Sequence, residues 1–336
     1  MALITMKFGG TSVGSPEAIG SMTEIVRAAL ARDDRVIVIV SAMSGVTDQL
    51  IHSAQDAAGG NKWGYLSVGQ KLRDRHDEVI NLLTKPGRNR DAVKAEVAAL
   101  IAQHGELCQA VSVLGEITPR ILDSIYAYGE RLSARVIAAV LRDQDVDARA
   151  YDAGQFLITD EQYGSANPLW YETEANIHQR LLPQIANGVT PIITGFIGQT
   201  RDGHMTTLGR GGSDYSGAIF AAATAADELI IWTDVDGVMT TDPRLDSRAR
   251  VLPYVSFQEV GELAFYGAKV LHPKTVQPII GKNTVLRVRN TFNPSFEGTL
   301  IGDEQRQVDT VVKAVTTVKD VSLLTVSGRG MIGVPG

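Results

Sequence analysis

One cysteine in 336 residues, Cys108, excludes an intrachain disulfide framework and any zinc site built on a cysteine pair. It fits a reducing, cytoplasmic compartment. The start, MALITMKFGG, lacks a basic segment followed by an apolar one, so no secretory leader is expected. No uninterrupted run of about 18 apolar residues occurs, so no membrane partner is expected. Positive charge is not in excess: 32 Lys and Arg against 38 Asp and Glu leave a net charge of −6. A general nucleic-acid binder would need a basic face, and so would a protein seated on anionic lipid. The chain holds neither GxxxxGK(S/T) nor GxGxxG, which argues against a P-loop and a Rossmann dinucleotide site. It has no GxSxG elbow, no EF-hand loop and no metal-spaced pair among its six histidines, so no protein-held metal is expected.

What is present suits a large globular body. The length predicts about two domains, or one α/β body with an appendage. Leu3 to Phe8 reads as a strand, and Pro16 to Ala31 as a helix with Ser15 as N-cap and Pro16 at its first position. Val36 to Val40 is continuously apolar, the mark of a strand buried on both faces. Residues 47–144 carry helical periodicity almost throughout, with Thr118 and Pro119 opening one helix. Val189 to Thr194, Leu229 to Trp232 and the run around Val285 to Val288 read as further strands. Asp202-Gly203 predicts a hairpin with a type I′ turn. This alternation predicts an α/β fold: a three-layer α/β/α sandwich with a mostly parallel central sheet.

Four polar clusters each follow an expected buried strand: Gly9 to Ser12, Ser41 to Gly45, Gly195 to Gly198, and Thr233 to Gly237. Ligands in open α/β sheets bind beyond the carboxyl ends of the strands, so the clusters predict one continuous cleft. In KFGGTSVG, two glycines let backbone N–H groups approach an anion, and Lys7 stands beside them. A tight glycine turn with a surface lysine would look alike. In LGRGGSDYSG, Arg210 sits among Gly209, Gly211 and Gly212, with Ser213 or Asp214 expected as the cap of the next helix. Glu130 lies on the helix opened by Thr118, where an ion pair with Arg131 or Arg135 is the plain alternative. Gly129 beside it hints at close packing or ligand approach. Cationic groups, glycine turns and few nucleophiles suit phosphoryl transfer, which works by positioning and charge neutralisation. The residues by themselves lead to an ATP-dependent kinase of a small acid without a P-loop.

Seven segments in order, KFGGTSVG (7–14), VSAMSGVTDQL (40–50), YGERLSA (128–134), TGFIGQT (194–200), TLGRGGSDYSG (207–217), TDVDGVMTTDPR (233–244) and FYGAKVLHP (265–273), closely resemble the aspartate kinase family of the amino-acid kinase superfamily. The resemblance implies the amino-acid kinase fold and transfer of the γ-phosphoryl of ATP to the side-chain carboxylate of L-aspartate. The product would be 4-phospho-L-aspartate, the entry to lysine, threonine and methionine synthesis. It implies that Lys7, Phe8, Gly9 and Gly10 hold the nucleotide's phosphates, Lys7 offsetting the developing charge while Asp214 organises the lysines. Arg210, with Gly211 and Gly212, would take a substrate carboxylate. Ser41, Thr47 and Ser213 would supply hydrogen bonds, and Glu130 would accept from the substrate ammonium. Thr233, Asp234, Met239, Arg244, Lys269 and Val270 would line the ATP pocket, Met239 standing where many relatives carry Tyr. Magnesium would be held chiefly by phosphates and water.

The resemblance also implies a catalytic domain over 1–301, with an amino-acid lobe over about 1–200 and a nucleotide lobe over about 201–301. Residues 302–336 resemble a linker and the first strand of an ACT regulatory domain, so a truncated catalytic portion without its feedback site is expected. A homodimer is the pairing such lobes imply, and oligomeric state is left open. The competing readings are a superfamily kinase with acetylglutamate or glutamate as acceptor, and a non-catalytic amino-acid sensor. Glu130 together with Arg210 favours a free amino acid over an N-acetylated one.

Overall fold

The computed structural model describes residues 1–266, 271, 273–306, 312–317 and 322. Strand β1 (Leu3–Phe8) leads through a short turn into α1 (Pro16–Leu30) and then β2 (Arg35–Val40). Four long helices follow: α2 (Val46–Ala58), α3 (Lys62–Leu83), α4 (Arg88–Leu114) and α5 (Pro119–Arg142). Next come β3 (Ala148–Tyr151), α6 (Trp170–Asn176), a π turn over Ile177–Leu181, α7 (Leu182–Ala186) and β4 (Thr190–Thr194). A hairpin of β5 (Ile197–Gln199) and β6 (Met205–Thr207) precedes α8 (Gly212–Ala223) and β7 (Glu228–Thr233). The described chain continues through β8 (Tyr254–Ser256), α9 (Phe257–Phe265), α10 (Pro273–Val276), β9 (Val285–Asn290) and β10 (Thr299–Gly302).

Eight strands form one sheet in the order β3-β4-β2-β1-β7-β9-β10-β8. All neighbours pair in parallel except β9 with β10. The side chains of β2 show why its run is unbroken. Val36, Val38 and Val40 pack with Met22, Val26, Val136 and Val140 of α1 and α5, whereas Ile37 and Ile39 pack with Phe156, Ile219 and Phe220 on the opposite face. A strand between two helical layers needs apolar side chains on both faces. Each such buried Val or Ile contributes about 1.5–3 kcal/mol. The expected three-layer sandwich is thus borne out.

Two helix starts form as expected: Ser15 Oγ accepts from Ala18 N (3.2 Å) and Thr118 Oγ1 from Ile121 N (3.3 Å), each with proline next. Two local expectations need correction. The cap of α8 is neither Ser213 nor Asp214 but Gly211, at φ +72°, so both side chains sit inside the first turn. The hairpin turn is not type I′. Among its residues only Gly203 is left-handed (φ +85°), Gly203 N donates to Thr200 O (3.0 Å), and Thr200 N donates to His204 O (2.8 Å). That is a three-residue loop, which needs one positive φ where type I′ needs two.

Helix α4 has the length and apolarity of a bilayer-spanning helix, although its run is interrupted. Its apolar stripe, including Val93, Val97, Leu100, Ile101 and Val111, is buried in the core it shares with α2, α3 and α5. Most of the expected ACT strand lies outside the described residues. The described stretch 312–317 runs beside α9, with Lys313 Nζ on Glu259 (2.7 Å) and Val315 N donating to Thr240 O (2.8 Å).

Candidate functional site

Parallel strands bring their carboxyl ends to one edge, and backbone bonds join those ends. Gly9 N donates to Trp232 O (3.1 Å), Ser41 N to Phe8 O (3.2 Å) and Gly195 N to Val40 O (2.8 Å). Beyond them opens a cavity of about 570 Å³. It is lined by Lys7, Gly10, Ser41, Thr47 and Glu130 from one side of the chain's length, and by Arg210, Gly211, Gly212, Ser213 and Asp214 from the other. Ten expected site residues, from Lys7 to Asp214 and so more than two hundred positions apart in the chain, therefore share one space.

Lys7 is the penultimate residue of β1. Strand alternation turns it away from Met6 and Phe8 toward α8. Gly217 leaves room for its stem, since a Cβ there would lie 3.3 Å from Lys7 Cβ. Lys7 is buried, and its Nζ lies 2.5 Å from Asp214 Oδ1. With Gly211 left-handed at the cap, Asp214 is free of capping and faces the lysine. The same alternation corrects the expectation for Phe8. Its ring is fully buried and stacked on Trp232 at 5.9 Å, so only its backbone reaches the rim.

Glu130 is 4% exposed, and its Oε2 has no hydrogen-bond partner. Burial pushes its carboxyl up to about 8, against the opposing pull of the Ala42 and Glu130 backbone amides and the Lys7 charge. The ion pairs weighed for Glu130 do not form, because Arg131 (3.1 Å) and Arg135 both bind Asp152. Gly129 serves close packing: a Cβ there would sit 2.7 Å from Ala42 Cβ, in the loop after β2. Arg210 is exposed at the mouth between Gly209 and Gly211, both left-handed, and makes no ion pair among the described residues.

The fourth polar cluster stays outside this cavity. Thr233 ends β7, one strand over from Gly9, and its Oγ1 donates to Asp234 Oδ1 (3.3 Å) of the next residue. Met239 is half-buried and pairs with Val251. Arg244 is exposed and bound to Asp242 at 2.6 Å. These residues form a neighbouring rim, outside the lining of that cavity. Lys269 and Val270 lie outside the described residues.

Three residues given no role in the sequence reading, Asp123, Tyr126 and Phe196, matter here. Asp123, Tyr126 and Glu130 share a face of α5 at helical spacing, a signal that was available. Buried Asp123 accepts from Gly164 N (2.8 Å), Thr207 N (2.9 Å) and Thr207 Oγ1 (2.7 Å), tying α5 to two segments of the cavity wall. Phe196 lines the cavity at φ +67°, a strained conformation for a non-glycine residue. Its N donates to Ser216 Oγ (3.0 Å) and its O accepts from Leu208 N (2.8 Å), which hold it there. No local signal announces that backbone. Among the described residues, no three His, Cys, Asp or Glu side chains come together as a metal cage.

The amino acid kinase family model matches residues 2–290. Lysine-sensitive aspartokinase 3 of Escherichia coli (strain K12) is 31% identical over 98% of this chain and 70% of its own length. The chloroplastic bifunctional aspartokinase/homoserine dehydrogenase 1 of Arabidopsis thaliana is 35% identical over 98% of this chain. This chain spans 36% of the length of that relative and of its Zea mays counterparts. The crystal structure of E. coli aspartokinase III in complex with aspartate and ADP superposes with a TM-score of 0.82 at 30% identity, over 90% of this chain and 65% of that one.

Proposed function

Because this chain belongs to the amino acid kinase family, and within it to the aspartokinases, we propose that it transfers the γ-phosphoryl of ATP to the side-chain carboxylate of L-aspartate. The observation that carries this reading is the buried Lys7–Asp214 pair at 2.5 Å, in one cavity with buried Glu130 and exposed Arg210. Aspartate has an ammonium and two carboxylates. The Glu130 carboxylate suits the ammonium, and the Arg210 guanidinium fits a carboxylate as a planar fork. Ser41, Thr47 and Ser213 add hydrogen-bonding hydroxyls on the same walls. An N-acetylated acceptor would leave Glu130 facing a neutral amide, which disfavours acetylglutamate.

The acceptor carboxylate is already ionised near neutral pH, so attack on phosphorus needs no general base. What remains is to hold the reactants in line and stabilise charge on the moving phosphoryl group. Lys7 supplies that charge, and Asp214 fixes its direction. Gly10, with no side chain, lets the phosphates approach the backbone. ATP would lie across β1 and β7, its base toward Thr233, Asp234, Met239 and Arg244. We assign magnesium to the nucleotide's phosphates and water, since it dehydrates reluctantly.

The test is ADP release with aspartate, glutamate and acetylglutamate in turn, with hydroxylamine trapping of the acyl phosphate. Hydroxamate from aspartate, and little from the others, is the expected result. Turnover confined to another acceptor would move the chain to a different member activity, and no turnover with any would leave the sensor reading.

A further inference from the structure

Arg75 stands on α3, within a helical segment to which nothing above gives a role. Its Nη1 donates to Ser44 O (2.6 Å) and its Nη2 to Gly14 O (2.9 Å). Those carbonyls belong to different loops. One follows β1 and contains Gly10. The other follows β2 and runs from Ser41 to Gly45, with Thr47 in the first turn of α2. Both line the cavity. The loops also touch directly, with Ser44 N donating to Gly10 O (3.2 Å). Their packing is tight: a Cβ on Gly14 would lie 2.9 Å from Gly10 O and 3.1 Å from Ser44 Oγ. One amide hydrogen bond leaves a pivot about which two loops can turn. A planar guanidinium gripping a carbonyl from each removes that freedom, because its donors are fixed relative to one another.

We infer that Arg75 is a positioning residue that sets the register between the phosphate-side loop and the acceptor-side loop. The inference rests on the proposed function, in which Gly10 serves the phosphoryl group and Ser41 and Thr47 serve the acceptor. Arg75 touches neither reactant. It acts by holding the distance between the two half-sites, and a displacement near 1 Å costs about 100-fold in rate. Its own anchor is firm: Leu72 and Val79, one turn away on either side, are buried in the core together with His76 and Ile80. This gives α3 a second duty besides packing with α2, α4 and α5.

The experiment compares wild type with Arg75→Met, which keeps the stem, and Arg75→Lys, which can hold one carbonyl at a time. Amide hydrogen exchange, melting temperature and steady-state kinetics are measured on each. Arg75→Met is expected to melt near the wild-type temperature and to exchange faster only within residues 9–15 and 41–47. Its kcat should fall by ~10- to 100-fold, with a smaller rise in the aspartate KM, and Arg75→Lys should lie between. Unchanged exchange in both segments overturns the inference, as does faster exchange spread over the chain with a lowered melting temperature. Exchange needs no substrate. Failure of the wild type to phosphorylate aspartate would therefore sink the proposed function, while the loop register would still be decided by exchange.

Discussion

Lys7 and Glu130 are ionisable side chains taken out of water, and each answers differently. Lys7 keeps a carboxylate at 2.5 Å. Asp214 compensates its charge in the resting site and leaves it directed at the cavity. Lys7→Ala should lower kcat by roughly 10²–10⁴, the range for losing one charge-stabilising donor; a kcat within twofold of wild type would remove Lys7 from the chemistry. Glu130 has no such partner, so burial carries its carboxyl from 4.5 up to about 8. A substrate ammonium favours the ionised form. On the proposed function, binding of aspartate would expel a proton, and its affinity should rise as pH climbs toward about 8. The aspartate KM should fall several-fold between pH 6.5 and 9. Glu130→Gln should raise KM and flatten the profile; a flat wild-type profile would refute the ammonium assignment.

Helix α5 shows how an element converts packing into site geometry. It carries Asp123, Tyr126 and Glu130 on one face and meets the loop after β2 at Gly129. Gly129→Ala sets two effects against each other. Helix propensity gains about 1 kcal/mol, but a methyl 2.7 Å from Ala42 Cβ overpacks the contact, at about 1–3 kcal/mol. A net loss in the urea midpoint is expected, with a raised aspartate KM as Glu130 shifts. Asp123→Ala acts at the other end of that face. It strands the buried N–H of Thr207 and removes the tie to Gly164, each worth about 1–3 kcal/mol. Equilibrium unfolding should register the loss, and unaltered stability would mean that water replaces the carboxylate.

For the whole molecule, three buried groups set a stability profile with pH. His76 and His104 are pushed down to about 4, chiefly by burial, from an ordinary 6.5. Both stay neutral in the fold, so stability is lost as pH falls from about 6.5 toward 4 and the unfolded chain takes up two protons. Glu130 works with the opposite sign. Between 4.5 and about 8 the folded chain holds a proton that the unfolded chain has released, so its contribution falls as pH rises. Together they predict greatest stability near pH 6.5, falling on both sides by about 1.4 kcal/mol per pH unit for each net proton. Urea midpoints from pH 5 to 8 measure this. In Glu130→Gln the alkaline slope should vanish and the acid slope should steepen; an unchanged alkaline slope would contradict the burial account.

The sequence alone was enough for the architecture. Unbroken apolar runs at Val36–Val40 and Leu229–Trp232 can satisfy burial only between two helical layers, and parallel strands then deliver their loops to one edge. Caps such as Ser15 and Thr118 were legible because a cap and its amide lie three residues apart. Partner choice was not legible, because it depends on atoms brought from distant segments. Arg131 and Arg135 bind Asp152 rather than the adjacent Glu130. Asp214 leaves the cap of α8 for Lys7 of β1. Arg75 closes on two carbonyls far away in the chain. Whether a charge is buried alone, paired or left in water is fixed by distance and desolvation in three dimensions, and those two quantities give Glu130 its proton and Lys7 its direction.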